Sequence, residues 1–147
     1  MNLDLALLQY LGGEKAVGLK SLGEPGALHK LVLAGIPARC ALYFKDNAGL
    51  SNVAVSELLG VSEKTFIRWQ ETPRAPINPV ASDRLVRSAK IMALAEDVLE
   101  SREEAKTWMS EPQPALGNAV PRDLLTTDVG ARQVADLLLQ MEHGYLA

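Results

Sequence analysis

The chain has 147 residues, of which 48% are hydrophobic and 22% are charged, and its formal net charge is −3. This length allows one moderate domain or two very small ones, and the composition is typical of a globular rather than a disordered protein. No apolar run approaches the length of a membrane span, and the N-terminus lacks the basic region and cleavage site of a secretory signal. We therefore expect a cytoplasmic protein with no membrane partner.

The charges are distributed unevenly along the chain. Residues 36–90 carry eight Lys or Arg against five Asp or Glu, whereas residues 91–147 carry four against ten. A basic middle and an acidic C-terminal part suggest two different partners. The single cysteine, Cys40, excludes an internal disulfide and a cysteine-based zinc site, so the simplest interpretation is a small buried thiol.

The first regular pattern is a run of leucines at helical spacing in residues 3–11, which Gly12 and Gly13 terminate. The next 23 residues, 14–36, are broken by glycines and a proline, and we predict one short helix there, Ala27–Leu33. From Pro37 onward the helical pattern becomes regular. Glycines follow the predicted helices and can end them, and serines stand where they can cap the N-terminus of the following helix. The predicted helices of this part are Ala38–Asn47, Val53–Leu59 and Glu63–Gln70.

The last two of these helices, joined by Gly60, are predicted to form a helix-turn-helix with Ser62 as the N-cap of the second helix. We expect Phe66 and Ile67 to face the core and Trp69 to be a packing residue. In a DNA-binding helix-turn-helix, N-terminal side chains of the second helix reach base edges in the major groove, and Lys, Arg, Ser and Thr suit bases or phosphates. The candidate DNA-binding residues are Ser62, Lys64, Thr65 and Arg68.

A purely structural helical hairpin is the alternative interpretation of this motif. Glu63 would face phosphates, and the local excess of positive charge is small. Because one such motif offers few basic groups, DNA binding would call for a homodimer.

We divide the chain into an N-terminal helical region, 1–72, with the helix-turn-helix at about 37–70, a proline-rich linker, 73–81, and a C-terminal domain, 82–147. The C-terminal domain is predicted to begin with the central helix of the fold, Ser82–Leu99, capped by Ser82. The latter half of that helix is apolar nearly all round, so its neighbours must pack around it.

Capping signals predict the remaining helices. Ser101 and Glu104 form a capping box that opens a helix containing Trp108, which we expect in the core. Pro121 begins a short helix, and Thr127 or Asp128 caps a last helix at about 129–142. No segment shows convincing strand alternation, so we predict an all-α protein.

The helix-turn-helix, residues 53–69, resembles the phage-repressor-like Xre type, and residues 82–147 resemble the antitoxins of the Xre/MbcA/ParS family. The resemblance rests on Ser-Asp-Arg-Leu at 82–85, Ala-Leu-Ala-Glu at 93–96, Trp108, Pro112, and Pro-Ala-Leu-Gly at 114–117. It continues with Pro121-x-Asp-Leu-Leu125, Thr127, Gly130 and Glu-His-Gly at 142–144. Each motif alone is weak, but the set is specific. Residues 1–35 match no family in this way.

The resemblance implies an Xre-like helix-turn-helix bundle followed by a small helical toxin-binding domain. It implies the antitoxin of a type II toxin–antitoxin module whose cognate RES-domain toxin consumes NAD or transfers ADP-ribose. The C-terminal domain would bind the toxin, and the chain's end would block its NAD pocket. The helix-turn-helix would bind operator DNA as a homodimer and repress the operon, and the dimer and toxin would form a higher toxin–antitoxin complex. No cofactor and no metal are implied.

By this resemblance the toxin-binding residues are the last six of the sequence. Among them Tyr145 has the large ring and polar tip that anchor interfaces, and a carboxylate at Ala147 could meet cations that otherwise hold an NAD phosphate. A frayed terminus is the alternative interpretation. The predicted toxin-binding residues are Glu142, His143, Gly144, Tyr145, Leu146 and Ala147.

Enzyme activity is not expected. The two histidines lie far apart in sequence, and the chain has no HExxH motif, no phosphate-loop lysine and no dinucleotide fingerprint. The alternative function is a helix-turn-helix transcriptional repressor whose C-terminal domain senses a ligand or a protein.

Overall fold

The computed structural model describes residues 3–18 and 24–144, and within these ranges the chain is built from helices and turns. A 3-10 turn at Pro114–Leu116 lies between the eighth and ninth helices. The helices are α1 Leu3–Tyr10, α2 Glu14–Val17, α3 Ala27–Ala34, α4 Ala38–Ala48, α5 Asn52–Leu59, α6 Glu63–Arg68, α7 Pro79–Leu99, α8 Arg102–Ser110, α9 Pro121–Leu124 and α10 Asp128–Glu142. The prediction of an all-α protein is confirmed. None of these helices is long and apolar enough to cross a bilayer.

Helix α7 is the centre of the fold. It contacts α1, α3, α4 and α5 from the N-terminal part of the chain and α8 and α10 from the C-terminal part. Its apolar positions nearly surround it, and ten of its residues are buried. A helix of this kind is stable only when other elements cover it, so one hydrophobic core forms around α7.

The start of α7 differs from the prediction. The helix begins at Pro79, inside the stretch 73–81 predicted as a linker, because proline suits the first helical position and the Asn78 side chain accepts a hydrogen bond from the Ala81 N–H at 2.8 Å. Ser82 is therefore not the N-cap. It is fully buried, and its Oγ accepts a hydrogen bond from the Ile36 N–H at 3.0 Å.

The residues before α7 are tied to the start of α4. The N–H groups of Ala38 and Arg39 donate to the carbonyls of Ala75 and Pro73 at 2.8 and 2.9 Å, and the Ile77 N–H donates to the Ile36 carbonyl at 2.9 Å. These bonds satisfy backbone groups that a proline-rich segment cannot satisfy within itself. They fix the entry of α7 beside the helix-turn-helix.

Two further elements differ from the sequence-based expectation. Helix α2, Glu14–Val17, lies in a segment where the sequence pattern predicts no helix, and it is ended by Gly18 in the left-handed conformation. The Trp108 side chain on α8 is half-buried and packs against the hydrophobic core without being one of its buried residues, so the prediction that it lies in the core is confirmed only in part. Helix α8 lies at the edge of the core and turns Ala105 and Met109 inward instead.

A polar cluster links the N-terminal and C-terminal helices. The Arg102 Nε donates to Glu96 Oε1 at 2.7 Å, and the Tyr10 hydroxyl donates to the same oxygen at 3.3 Å. The Arg102 guanidinium lies 4.5 Å from the centroid of the Tyr10 ring, and its Nη1 lies 3.4 Å from Asn47 Oδ1. We call these four residues the polar clamp. It joins α1, the end of α4, α7 and the start of α8.

Candidate nucleic-acid and partner interfaces

The helix-turn-helix is built by local capping. The Ser51 Oγ accepts a hydrogen bond from the Ala54 N–H at 3.0 Å and so caps α5. The turn after α5 places Gly60 at φ 72°, in the left-handed region that glycine adopts without strain. The Arg84 side chain of α7 lies against this turn, in the space that a Cβ at position 60 would occupy.

Helix α6 is capped and packed as the sequence predicts at most positions. The Ser62 Oγ accepts from the Thr65 N–H at 3.0 Å and donates to the Thr65 hydroxyl at 2.9 Å. Phe66 is fully buried and Trp69 is 9% exposed, and their rings meet edge to face with centroids 5.7 Å apart. This aromatic pair fixes which side of α6 faces the core.

The outward face of α6 carries Lys64, Ile67 and Arg68, all exposed. Ile67 is 44% exposed, so the prediction that it faces the core is wrong. Phe66, Ile67 and Trp69 cannot all point inward from a helix with about 100° per residue, and the two aromatic rings occupy the core side.

The fold brings the four predicted DNA-binding residues together, and they form two pairs with different roles. Lys64 and Arg68 are exposed and four residues apart, so they lie on one face. Ser62 and Thr65 hydrogen-bond to one another at the helix start, and their hydroxyls hold the cap as well as lying near the surface.

The charge around this face is mixed. Glu63 is exposed at the start of α6, and Glu71 is exposed three residues after its end; Glu63 reduces the positive potential of this face. The sequence pattern does not single out two further cations of this region: Arg74, which is exposed and follows α6 in the chain, and Arg84, whose side chain lies beside the Gly60 turn. Because Arg84 is remote in sequence from Gly60, no local motif indicates that the two are close, and only the tertiary fold shows it.

The C-terminal end of α10 is the second candidate interface. Helix α10 is capped by Thr127, whose Oγ1 accepts from the Gly130 N–H at 3.0 Å, and its last residue, Glu142, is exposed. His143 forms the C-cap, and Gly144 follows at φ 73°, so the helix ends as predicted. Three of the six predicted toxin-binding residues, Glu142, His143 and Gly144, are exposed. The other three, Tyr145, Leu146 and Ala147, lie outside the described residues.

A cleft of about 400 Å³ lies between the helix-turn-helix and the C-terminal helices. Apolar side chains from α4, α5, α7 and α8 line it, and charged groups from α5, α8 and α9 lie among them. Phe44, Leu58 and Met92 belong to the apolar wall, and Glu57 and Arg122 to the charged groups. Within residues 3–18 and 24–144, no group of His, Cys, Asp or Glu is arranged to hold a metal ion.

Comparison with known proteins matches both halves of this fold. A family model described as the antitoxin Xre-like helix-turn-helix domain matches residues 27–90, and one described as the antitoxin Xre/MbcA/ParS C-terminal toxin-binding domain matches residues 94–144. The chain belongs to the Xre/MbcA/ParS antitoxin family. The two matched stretches meet within α7, the helix that both halves share.

Three relatives illustrate the similarity. The chain is 43% identical over 70 residues to Antitoxin Xre of Pseudomonas putida, a match over 48% of this chain and 44% of the relative. It is 32% identical over 98 residues to Antitoxin Xre of Yersinia enterocolitica, 66% of each chain. It is also 32% identical over 81 residues to the Prs ADP-ribosylating antitoxin of a Sphingobium species, 49% of this chain and 51% of the relative. The matches therefore span 44% to 66% of these relatives' lengths.

The fold is also similar to a solved structure. A chain in the crystal structure of the M. tuberculosis MbcT–MbcA toxin–antitoxin complex superposes with a TM-score of 0.57 and 24% identity, over 75% of this chain and 96% of that chain. This likeness supports the helical architecture described above.

Proposed function

We propose that this chain is the antitoxin of a type II toxin–antitoxin pair whose toxin is a RES-domain protein that consumes NAD or transfers ADP-ribose. In this proposal the chain acts by binding rather than by catalysis. The observation that carries it is the match of residues 94–144 to a toxin-binding domain, which covers α8 to α10.

The negative charge of the C-terminal part supports the proposal that its partner has a basic surface. Residues 91–147 carry four Lys or Arg against ten Asp or Glu, and complementary charge speeds and orients association. Glu142, the first of the six predicted toxin-binding residues, is exposed at the end of α10. We propose that residues 142–147 enter the toxin's active site and exclude NAD.

Deletion of residues 145–147 tests this part of the proposal. NAD consumption by the RES-domain protein encoded next to this chain would be measured with full-length or shortened chain at matched concentrations. We expect the shortened chain to keep its thermal stability and inhibit less, because three terminal residues contribute little to a core. Equal inhibition by both would show that residues 145–147 do not block the site, and absence of a toxic neighbour would contradict the antitoxin proposal itself.

The outward face of α6 supports a second activity, operator binding and autorepression by a homodimer. Lys64 and Arg68 are the two exposed cations of α6, and the Arg84 side chain lies beside the Gly60 turn that precedes this helix. A dimer would present two such helices to successive major grooves about 34 Å apart, and it would double the number of phosphate contacts.

The double substitution Lys64→Ala and Arg68→Ala tests operator binding. We expect it to weaken binding to the DNA upstream of the reading frame, with about 1–3 kcal/mol lost if Arg68 contacts a base in bidentate fashion, and to leave toxin inhibition unchanged. The matched control is Lys90→Ala with Arg132→Ala, which removes the same charge from two exposed residues away from α6. If both double variants bind DNA as the wild type does, α6 is not the recognition helix.

The alternative function is a repressor whose C-terminal part senses a ligand, and the cleft beside α5 is the observation that favours it. Phe44, Leu58 and Met92 give the cleft an apolar wall, and Glu57 and Arg122 supply charges of both signs. A metabolite that changed operator affinity without any toxic neighbouring gene would support this alternative over the antitoxin.

A further inference from the structure

The exposed apolar side chain on α6 is not explained by packing. Ile67 is 44% exposed, whereas its neighbours Phe66 and Trp69 fill the core side of the same short helix. An isolated exposed aliphatic residue is ordinary on a protein surface. Its position here sets it apart, because it lies beside Lys64 on the exposed face of the candidate recognition helix.

The helix geometry fixes this arrangement. At about 100° per residue, Ile67 lies about 60° around the helix from Lys64 and about 100° from Arg68, on the opposite side of Lys64 from Arg68. Lys64 and Ile67 are three residues apart, and their side chains are neighbours on the surface. A ligand that contacts both must carry an electron-rich group and an apolar group within a few ångströms of each other.

The major groove of DNA offers this combination. Phosphates flank the groove, guanine presents acceptors to Lys or Arg, and thymine presents its C5-methyl group. Contact with that methyl group is the base-specific interaction open to an aliphatic side chain. Cytosine lacks the methyl group, so such a contact distinguishes thymine from cytosine.

We propose that Ile67 is a specificity-determining residue that contacts the C5-methyl group of a thymine in each half of the bound DNA site. The proposal rests on the operator binding proposed above for α6. Because Ile67 is within one helical turn of Lys64 and Arg68, this thymine lies within about two base pairs of any guanine that these cations contact.

The test removes the methyl group from the DNA rather than from the protein. The wild-type chain would be footprinted on a duplex from the segment upstream of its reading frame, and each thymine in the footprint would be replaced singly by deoxyuridine. We expect about four-fold weaker binding at one thymine per half-site, the effect of one buried methyl group, and little change at the others.

Variants at position 67 complete the test. With Ile67→Ala, we expect the thymine and deoxyuridine duplexes to bind equally well, and with Ile67→Val we expect most of the difference to return. Lys64→Ala is the matched control, because it should weaken both duplexes equally. Thermal unfolding of each variant checks that the fold is kept.

The outcomes separate this proposal from the one on which it rests. A wild-type footprint with no position sensitive to deoxyuridine, or an unchanged sensitivity in Ile67→Ala, overturns the role of Ile67 and leaves operator binding standing. Absence of any wild-type footprint overturns operator binding and the role of Ile67 together.

Discussion

The polar clamp gives the most direct prediction about stability. Replacing Arg102 by Ala removes the 2.7 Å ion pair with Glu96, the contact with the Tyr10 ring and the hydrogen bond to Asn47. The Glu96 carboxylate would then keep only the Tyr10 hydroxyl at 3.3 Å among these partners. We therefore expect Arg102→Ala to lower the free energy of unfolding.

The burial of the pair sets the magnitude. The Glu96 and Arg102 side chains are 21% and 34% exposed, so the pair lies between a surface ion pair and a buried one. Surface pairs contribute about 0–1 kcal/mol, whereas breaking a buried pair costs about 3–5 kcal/mol. An intermediate loss of about 2 kcal/mol follows, which lowers the melting temperature of a chain of this size by about 4–8 °C.

The chain contains a matched control. Arg132 pairs with Asp128 at 2.8 Å, almost the same distance, but the two side chains are 77% and 57% exposed. Arg132→Ala should cost less than about 0.5 kcal/mol, and salt should reduce that further. Urea unfolding of both variants measures the difference. Equal effects, or an unchanged midpoint in Arg102→Ala, would refute the argument from burial.

Three other properties can be measured in the same way. Burial raises the pKa of the Tyr10 phenol from 10.0 to about 12, with the Glu96 charge adding to the rise, so the folded state holds this proton more tightly. Because of this shift, the free energy of unfolding should fall by about 3 kcal/mol as the pH rises from about 10 through about 12. Urea unfolding should show this fall, and Tyr10→Phe should make it smaller by about that amount. The rest of the fall includes a contribution from the buried Cys40 thiol, whose pKa burial also raises to about 12. Gly130→Ala should lower the melting temperature although alanine favours helices, because the new Cβ would overlap the Leu124 carbonyl. Trp108→Ala should cost about 1–2 kcal/mol in urea unfolding rather than the roughly 3–5 kcal/mol of a buried ring, because Trp108 is half-buried.

The sequence predicts the local features of this fold well. Ser62 and Ser101 each accept a hydrogen bond from the N–H three residues ahead, as their positions before helical segments predict. Ser51 and Thr127 do the same, at helix starts where the sequence also allows Asn52 and Asp128 as caps. Capping depends on a few consecutive residues, so the pattern is visible without the tertiary structure. The same is true of Gly60, whose turn joins α5 to α6.

Features that depend on distant residues do not show in the local pattern. That pattern places the start of α7 at Ser82, but the Ser82 side chain is buried against Ile36, 46 residues earlier. The predicted orientation of Ile67 is wrong because two aromatic neighbours take the core side, which the apolar pattern of a six-residue helix does not reveal. The polar clamp draws on four helices and has no local signature.

The shared helix α7 determines how the two proposed activities can be separated. The matches to the two family models meet at positions 90–94 of α7. Buried residues of α7 on both sides of this point, such as Leu85 and Ala95, belong to one core that supports the helix-turn-helix and the C-terminal helices together. A substitution at either position should weaken both activities through the fold, so a joint loss identifies no interface. Exposed positions, Lys64 and Arg68 on α6 and Glu142 at the end of α10, can be changed without opening that core. Only variants of this exposed kind can assign operator binding and toxin inhibition to separate surfaces.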